Sequence, residues 1–232
     1  MKKIAMALTI CIFAAMTAGC SREPAVQESS ERQVRISSSP IDPEIIGTWE
    51  NEQGAYRFQE DRQVSLPMDF SGTEHFESDG TFVMGTTVIG TDEIEYDGTE
   101  LTVRHVYEEL EENNELLLLD MKRKDGAADK NSYDGVYDLL DGSFLEMLAY
   151  NFGISRDKIK LEAEIDGDSF VITIVDYCYY ETLGDSLEMF SEDMEYIDET
   201  ANAVKYKYEI DGDTLTLTYE EEEPQTFTKV KE

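Results

Sequence analysis

From Ile45 onward, nonpolar residues recur at every second position in short runs, and turn-forming residues separate the runs every eight to twelve positions. Alternation of this kind puts one face of an extended segment in a core and the other in water, the signature of β-strands. Among its Asp-Gly pairs, three stand out, each followed by alternation. Tyr96-Asp97-Gly98-Thr99 leads into Leu101 and Val103, Ile165-Asp166-Gly167-Asp168 into Phe170, Ile172 and Ile174, and Ile210-Asp211-Gly212-Asp213 into Leu215, Leu217 and Tyr219. Glycine accepts positive φ and aspartate bonds its own backbone, so each pair predicts a tight hairpin turn. Val204, Tyr206, Tyr208 and Ile210 alternate with Lys205, Lys207 and Glu209. Together with Leu215–Tyr219 they make 204–219 the best-defined hairpin.

One stretch breaks the period. Ser143-Phe144-Leu145-Glu146 has the form of a capping box, Leu145, Leu148, Ala149 and Phe152 fall on one face, and Gly153 stands where a helix would stop. The pattern predicts a short amphipathic helix over 144–152 packed on a sheet. A second helical or irregular stretch is expected around Glu192–Ala203.

The organisation repeats. Ile46-Gly47-Thr48-Trp49 opens one half and Asp134-Gly135-Val136-Tyr137 the other. Each half ends in an Asp-Gly hairpin and a last strand carrying basic residues, Leu116–Arg123 in the first and Thr226–Lys231 in the second. Between them, 125–132 reads as a linker. The expected architecture is all-β: two tandem small antiparallel barrels or meanders over 44–124 and 133–232, the second bearing the helix. A single larger meander barrel is the competing arrangement.

The start of the chain has another character. Lys2 and Lys3 precede an almost wholly apolar run from Ile4 to Met16, thirteen residues long. A membrane span needs about 20; this length suits the core of a signal peptide. The run ends in Thr17-Ala18-Gly19-Cys20, small residues followed at once by cysteine. This resembles the lipobox of bacterial lipoproteins, with Thr17 where that family prefers leucine. It implies cleavage before Cys20, acylation of the Cys20 thiol (palmitate among the chains attached) and residence on the outer face of the cell membrane. An ordinary secretory cut near Ala18, leaving a free thiol, is the alternative. Residues 1–19 are thus read as the signal. Residues 20–43, rich in Ser, Glu, Gln and Arg, are read as a flexible tether of roughly 25–30 Å.

Charge narrows the partners. The whole chain carries a formal net charge of −33, and without 1–19, which holds two lysines and no acid, it is −35. Such a body repels nucleic acid and anionic headgroups. Membrane contact is expected through the lipid alone, and no nucleic-acid partner is expected.

Candidate chemistry is thin. Cys11 leaves with the signal and Cys20 takes the lipid, so Cys178 has no intramolecular disulfide partner and reads as a small buried hydrophobe. His75 and His105 lack ligand spacing for zinc. Asp166 with Asp168, Asp211 with Asp213, and Glu220–Glu223 supply oxygen ligands, but none has the spacing of a calcium loop; the first two serve as turns and the glutamate run as a solvated hairpin tip. No nucleophile elbow, phosphate loop or isolated carboxylate pair stands out. Neither an enzyme nor a cofactor is therefore expected, a hydrolase being the last of the alternatives.

The tyrosines are the most suggestive group. Tyr177, Tyr179, Tyr180, Tyr196, Tyr206, Tyr208 and Tyr219 crowd the second half, each with an apolar ring and a polar tip suited to a pocket or interface. Trp49, Tyr177, Tyr179, Tyr206 and Tyr208 are the candidate ligand-contacting residues.

Gly47-Thr48-Trp49 after Ile41-Asp42-Pro43 is similar to the opening of lipocalin-like (calycin) barrels. Tyr56-Arg57-Phe58 and Tyr208–Leu217 resemble the lipocalin-like domains of many uncharacterised Gram-positive lipoproteins. The resemblance implies a barrel closed at one end by Trp49 beneath a basic residue of the last strand, Lys122 or Arg123, with Tyr137 replacing the tryptophan in the second half. It also implies non-catalytic binding of a small apolar ligand or a surface protein. An accessory envelope role without a small ligand is the alternative.

Overall fold

The computed structural model describes residues 40–107, 114–124, 126, 132–190, 204–220 and 222–231. The signal, Cys20, the tether as far as residue 39, most of the linker and the 192–203 stretch lie outside the described residues.

The body is built of strands. The first are β1 (Gly47–Asn51), β2 (Gly54–Phe58) and β3 (Gln63–Asp69). Three short ones follow, β4 (Glu74–Phe76), β5 (Phe82–Met84) and β6 (Thr87–Ile89). Next come β7 (Ile94–Tyr96), β8 (Glu100–Tyr107), β9 (Asn114–Arg123) and β10 (Gly135–Asp141). Helix α1 (Ser143–Phe152) precedes β11 (Lys160–Asp166) and the long β12 (Ser169–Leu183). The chain finishes with β13 (Ser186–Phe190), β14 (Val204–Asp211), β15 (Thr214–Tyr219) and β16 (Gln225–Lys229). The Asp-Gly pairs join β7 to β8, β11 to β12 and β14 to β15, as the alternation predicts.

Strand pairing, which sequence leaves open, gives a closed antiparallel barrel of eight strands, in the order β12-β13-β14-β15-β16-β1-β2-β3 and back to β12. The barrel therefore draws on both sides of the expected linker, and two consecutive rings are not seen among the described residues. β11, β10, β9, β8 and β7 continue outward from the first half of β12 as an open sheet. The β4-β5-β6 sheet and α1 pack on this extension, where Phe76 meets Phe82 at 4.7 Å, Phe76 meets Tyr133 at 4.8 Å and Phe70 meets Phe144 at 5.0 Å between ring centres. A single cluster of buried residues runs through barrel and extension.

β12 makes this possible by forking. Its first half pairs with β11 as far as Lys160↔Val175, and its second half pairs with β13 from Tyr179↔Phe190. At the fork Asp176 takes φ 53°, and the register against β3 passes from Ile174↔Leu66 to Cys178↔Val64, four positions on one strand against two on the other. An irregularity of this kind bends a strand and raises its twist, which lets one strand serve both the barrel and the extension.

The two Gly-x-aromatic openings are the same local device. Trp49 pairs with Lys229 across β1–β16, with the Lys229 ammonium 4.8 Å from the indole centre. Tyr137 pairs with Arg123 across β10–β9, with the guanidinium carbon 5.5 Å from the ring centre. In each case the glycine two residues earlier leaves room for the crossing side chain: a Cβ on Gly47 would lie 3.1 Å from Lys229 Cε, and one on Gly135 2.5 Å from Arg123 Cζ. The expectation that Lys122 or Arg123 covers Trp49 is thus corrected. Arg123 serves Tyr137, and Lys229 covers Trp49.

The helix forms where its apolar face predicts, burying Phe144, Leu145, Leu148 and Ala149, and ends at the left-handed Gly153. The capping box does not form. Gly142, not Ser143, is the N-cap, and no side chain bonds the first turn. Among the described residues no helix is long and apolar enough to cross a membrane.

Proteolysis tests the pairing. A cut between Lys124 and Ser132 leaves β3–β12 and β1–β16 joining the pieces, so the two fragments should co-elute on native gel filtration and separate only in denaturant. Independent elution, each fragment keeping a β-type circular dichroism spectrum, would contradict the ring.

Candidate ligand-binding site

The barrel has two unlike ends. Near one, the lead-in Ile41–Ile46 crosses the strands and closes it. Trp49 is fully buried, and its Nε1–H donates to the Ile45 carbonyl at 2.7 Å. Lys229 Nζ donates to the Glu44 carbonyl at 3.0 Å, the Tyr208 hydroxyl donates to Asp42 Oδ2 at 2.8 Å, and the Asp42 N–H donates to Thr182 Oγ1 at 2.9 Å. Every polar tip in this plug has a partner. The Tyr180 hydroxyl likewise donates to the Gln59 carbonyl at 2.8 Å, with its ring 5.1 Å from Phe58. Leu187, Leu215, Leu217 and Phe227 fill the ring above the plug.

At the opposite end the polar tips are not satisfied in this way. Tyr56 on β2, Tyr177 and Cys178 on β12, and Tyr206 on β14 converge, near enough that Tyr206, Tyr177 and Cys178 disfavour ionisation of Tyr56, and Cys178 that of Tyr177 and Tyr206. Burial is the larger cause: it raises Tyr56 and Tyr177 well above the ordinary tyrosine range and pushes Tyr206 up to about 12. Among the described residues, no hydrogen-bond partner serves the hydroxyls of Tyr56, Tyr177 or Tyr206. Apolar walls complete the setting, with Phe227 at 5.5 Å from Tyr56 and Phe152 at 6.0 Å from Tyr177. Tyr219 lies 5.8 Å from Tyr206, its partner across β14–β15, and leads to the hairpin tip, where Glu220, Glu222 and Glu223 are exposed. Glu221 is outside the described residues.

Burial also pushes the Cys178 thiol up to about 12. The thiol is therefore held in its protonated form at neutral pH.

On the outer side of the fork, the same β12 residues line a groove of about 200 Å³ with Gln63, Ile154, Ile159 and Tyr179. That is below the ~300 Å³ at which ordinary small-molecule pockets begin. Its Lys160 is paired with Asp176 at 3.6 Å, and Tyr179 stacks on Phe190 at 5.9 Å.

The five candidates from sequence therefore separate. Tyr177 and Tyr206 come together, Tyr179 faces the groove, and Trp49 and Tyr208 belong to the plug. Tyr56 joins the cluster without having been singled out. Its signal was the Tyr56/Phe58 alternation, which puts both rings on one face of β2.

Among the described residues, no three of His, Cys, Asp and Glu stand close enough together to hold a metal ion. His75 contacts Glu77 at 3.2 Å and His105 contacts Glu93 at 3.0 Å. Glu93 also accepts the Val106 N–H at 3.2 Å, a side chain capping part of β8 beyond its pairing with β7, where a bare edge would invite another strand. The protein-family models, the curated proteins and the solved structures contain no match to this chain.

Proposed function

We propose that this chain is an extracytoplasmic lipoprotein, anchored to the cell membrane through Cys20, whose lipocalin-like barrel binds a small molecule without transforming it. The single observation that carries the binding reading is the asymmetry of the barrel. One end is plugged with every polar tip bonded, and the other gathers three tyrosine hydroxyls in apolar walls with no partner among the described residues. A ligand with an apolar body and a hydrogen-bonding tip would pack on those walls and bond those hydroxyls.

Binding without chemistry is in keeping with the protonation of these residues. Cys178 stays a thiol, and the tyrosines stay protonated at neutral pH. The two Gly-x-aromatic devices support reading 44–124 and 133–232 as two related β units. A protein partner is the second reading, favoured by Tyr150 and Met147, which stand 87% and 39% exposed on α1.

A thermal-shift screen of the full chain against fatty acids, haem, sugars, peptides and calcium tests the reading. A stabilising compound should lose its effect in Tyr206→Ala. Stabilisation that survives this change would place binding elsewhere, and a wholly silent screen would count against a small ligand. Labelled palmitate should enter the wild type and not Cys20→Ser.

A further inference from the structure

The groove on the outer side of the β12 fork is a concavity of its own. β11 leaves β12 at Val175 and β13 joins it at Tyr179. On that side residues 176–178 have no neighbouring strand among the described residues, and a bare edge offers backbone donors and acceptors to whatever enters. The lining carries both signs of charge. Lys158 and Lys160 come from the approach to β11 and its first residue, Asp176 comes from the fork, and Ile154 and Ile159 add apolar wall. Lys160 Nζ and Asp176 Oδ2 are 3.6 Å apart, an ion pair beyond hydrogen-bond length, so both keep bonding capacity for a ligand. The Gln63 amide, its nitrogen turned toward Asp176, donates to Oδ1 at 2.6 Å and steadies the carboxylate.

Charge selects the ligand class. A plain anion would meet Asp176 and the field of a chain carrying −33. A plain cation would meet the two lysines. A molecule with both an ammonium and a carboxylate finds a partner for each, through charge-assisted hydrogen bonds. Size selects within that class. The 200 Å³ of the groove is the space of about seven waters at ~30 Å³ each, and bonded atoms pack more closely than separate waters. That is room for about eight or nine non-hydrogen atoms.

We propose that the fork groove takes a free aliphatic amino acid as its zwitterion. The ammonium sits on Asp176, the carboxylate on Lys160 and Lys158, and the side chain against Ile154 and Ile159. This site goes beyond the binding end inside the barrel. Tyr177 borders both, but Tyr206 does not line the groove.

The test is isothermal titration of the full chain with leucine, set against two truncated forms of it. 3-Methylbutylamine lacks the carboxylate, and 4-methylpentanoate lacks the ammonium. Leucine should bind saturably, and each truncated form at least about tenfold more weakly. Asp176→Asn should reduce leucine affinity about tenfold; asparagine tolerates the φ of 53° as aspartate does, so the fork is kept. Lys160→Gln, an exposed change that spares the fold, should give a loss of about threefold or more, and Lys205→Gln, outside the groove, should give none.

No leucine binding would overturn the inference. Equal binding of leucine and either truncated form would overturn it too, by showing that one charge suffices. Leucine binding that survives both Asp176→Asn and Lys160→Gln, or that is lost in Tyr206→Ala alone, would place the amino acid elsewhere and sink this site while leaving the barrel reading standing.

Discussion

Replacing Trp49 by alanine should destabilise the protein by about 3–5 kcal/mol, the range for removing a fully buried aromatic side chain. Three losses combine at this position. The indole has no exposed surface, so its removal leaves a void the ring of strands cannot collapse into. The Ile45 carbonyl loses its 2.7 Å bond from Nε1. Lys229, held over the ring at 4.8 Å, loses the face that balances its partly buried charge. The lead-in Ile41–Ile46 is fastened at the same place, so its bonds to Thr182 and Tyr208 should loosen as well. Urea unfolding followed by far-ultraviolet circular dichroism measures the effect, because the sole tryptophan is the residue being removed. For a body of this size each kcal/mol moves the melting temperature by about 2–4 °C. A loss below about 1 kcal/mol would show that the plug does not hold the barrel. Trp49→Phe keeps most of the packing and should forfeit chiefly the hydrogen bond, about 1 kcal/mol.

Gly142→Ala should have a comparable effect for an unrelated reason. Gly142 takes φ 119° at the start of α1, a conformation L side chains resist. A Cβ there would also lie 2.2 Å from the Leu118 carbonyl oxygen and 2.6 Å from its carbon, backbone atoms of β9 that cannot swing aside. Either α1 lifts from β9 and β10 or the paired strands shift, at a cost of about 2–4 kcal/mol. Gly184→Ala is the control. It has φ 63° in the β12–β13 turn with nothing within 4 Å, so only backbone strain applies, about 1 kcal/mol. Matched thermal melts should therefore rank Gly142→Ala well below Gly184→Ala. Equal melting temperatures would mean that α1 is not seated on β9 as described.

Much of the fold is legible in the chain because local signals set local elements. The Asp-Gly pairs turn where they stand, and Leu145, Leu148 and Ala149 bury one side of a helix that Gly153 ends. Partner choice is different. Period-two alternation says which face of a strand is buried and is silent on which strand lies beside it. Lys122, Arg123 and Lys229 all sit near the ends of strands that could close on Trp49, and only the register assigns Lys229 to it. Likewise 169–183 reads as one uninterrupted strand, although Asp176 splits its service between two neighbours. The capping box failed because α1 starts directly from β10 beneath the Leu118 backbone, so that Gly142 occupies the place where a side-chain cap would stand. The tyrosines divided for the same reason. Alternation marks Tyr206 and Tyr208 as one face of β14, but pairing puts one beside Tyr219 and the other against Asp42.

The pairing of Trp49 with Lys229 has a temporal consequence. A ribosome makes the first strand of the barrel long before the strand that must lie beside it, and the β12 partners of β3 come more than a hundred residues later. Until that last strand emerges, β1 has one flank without a neighbour, and the polypeptide stays threadable. Folding is then limited by a search between distant ends and should be slow, on the millisecond-to-second scale of β proteins rich in nonlocal pairs. Loss of β16 should leave an open sheet prone to pairing with other molecules.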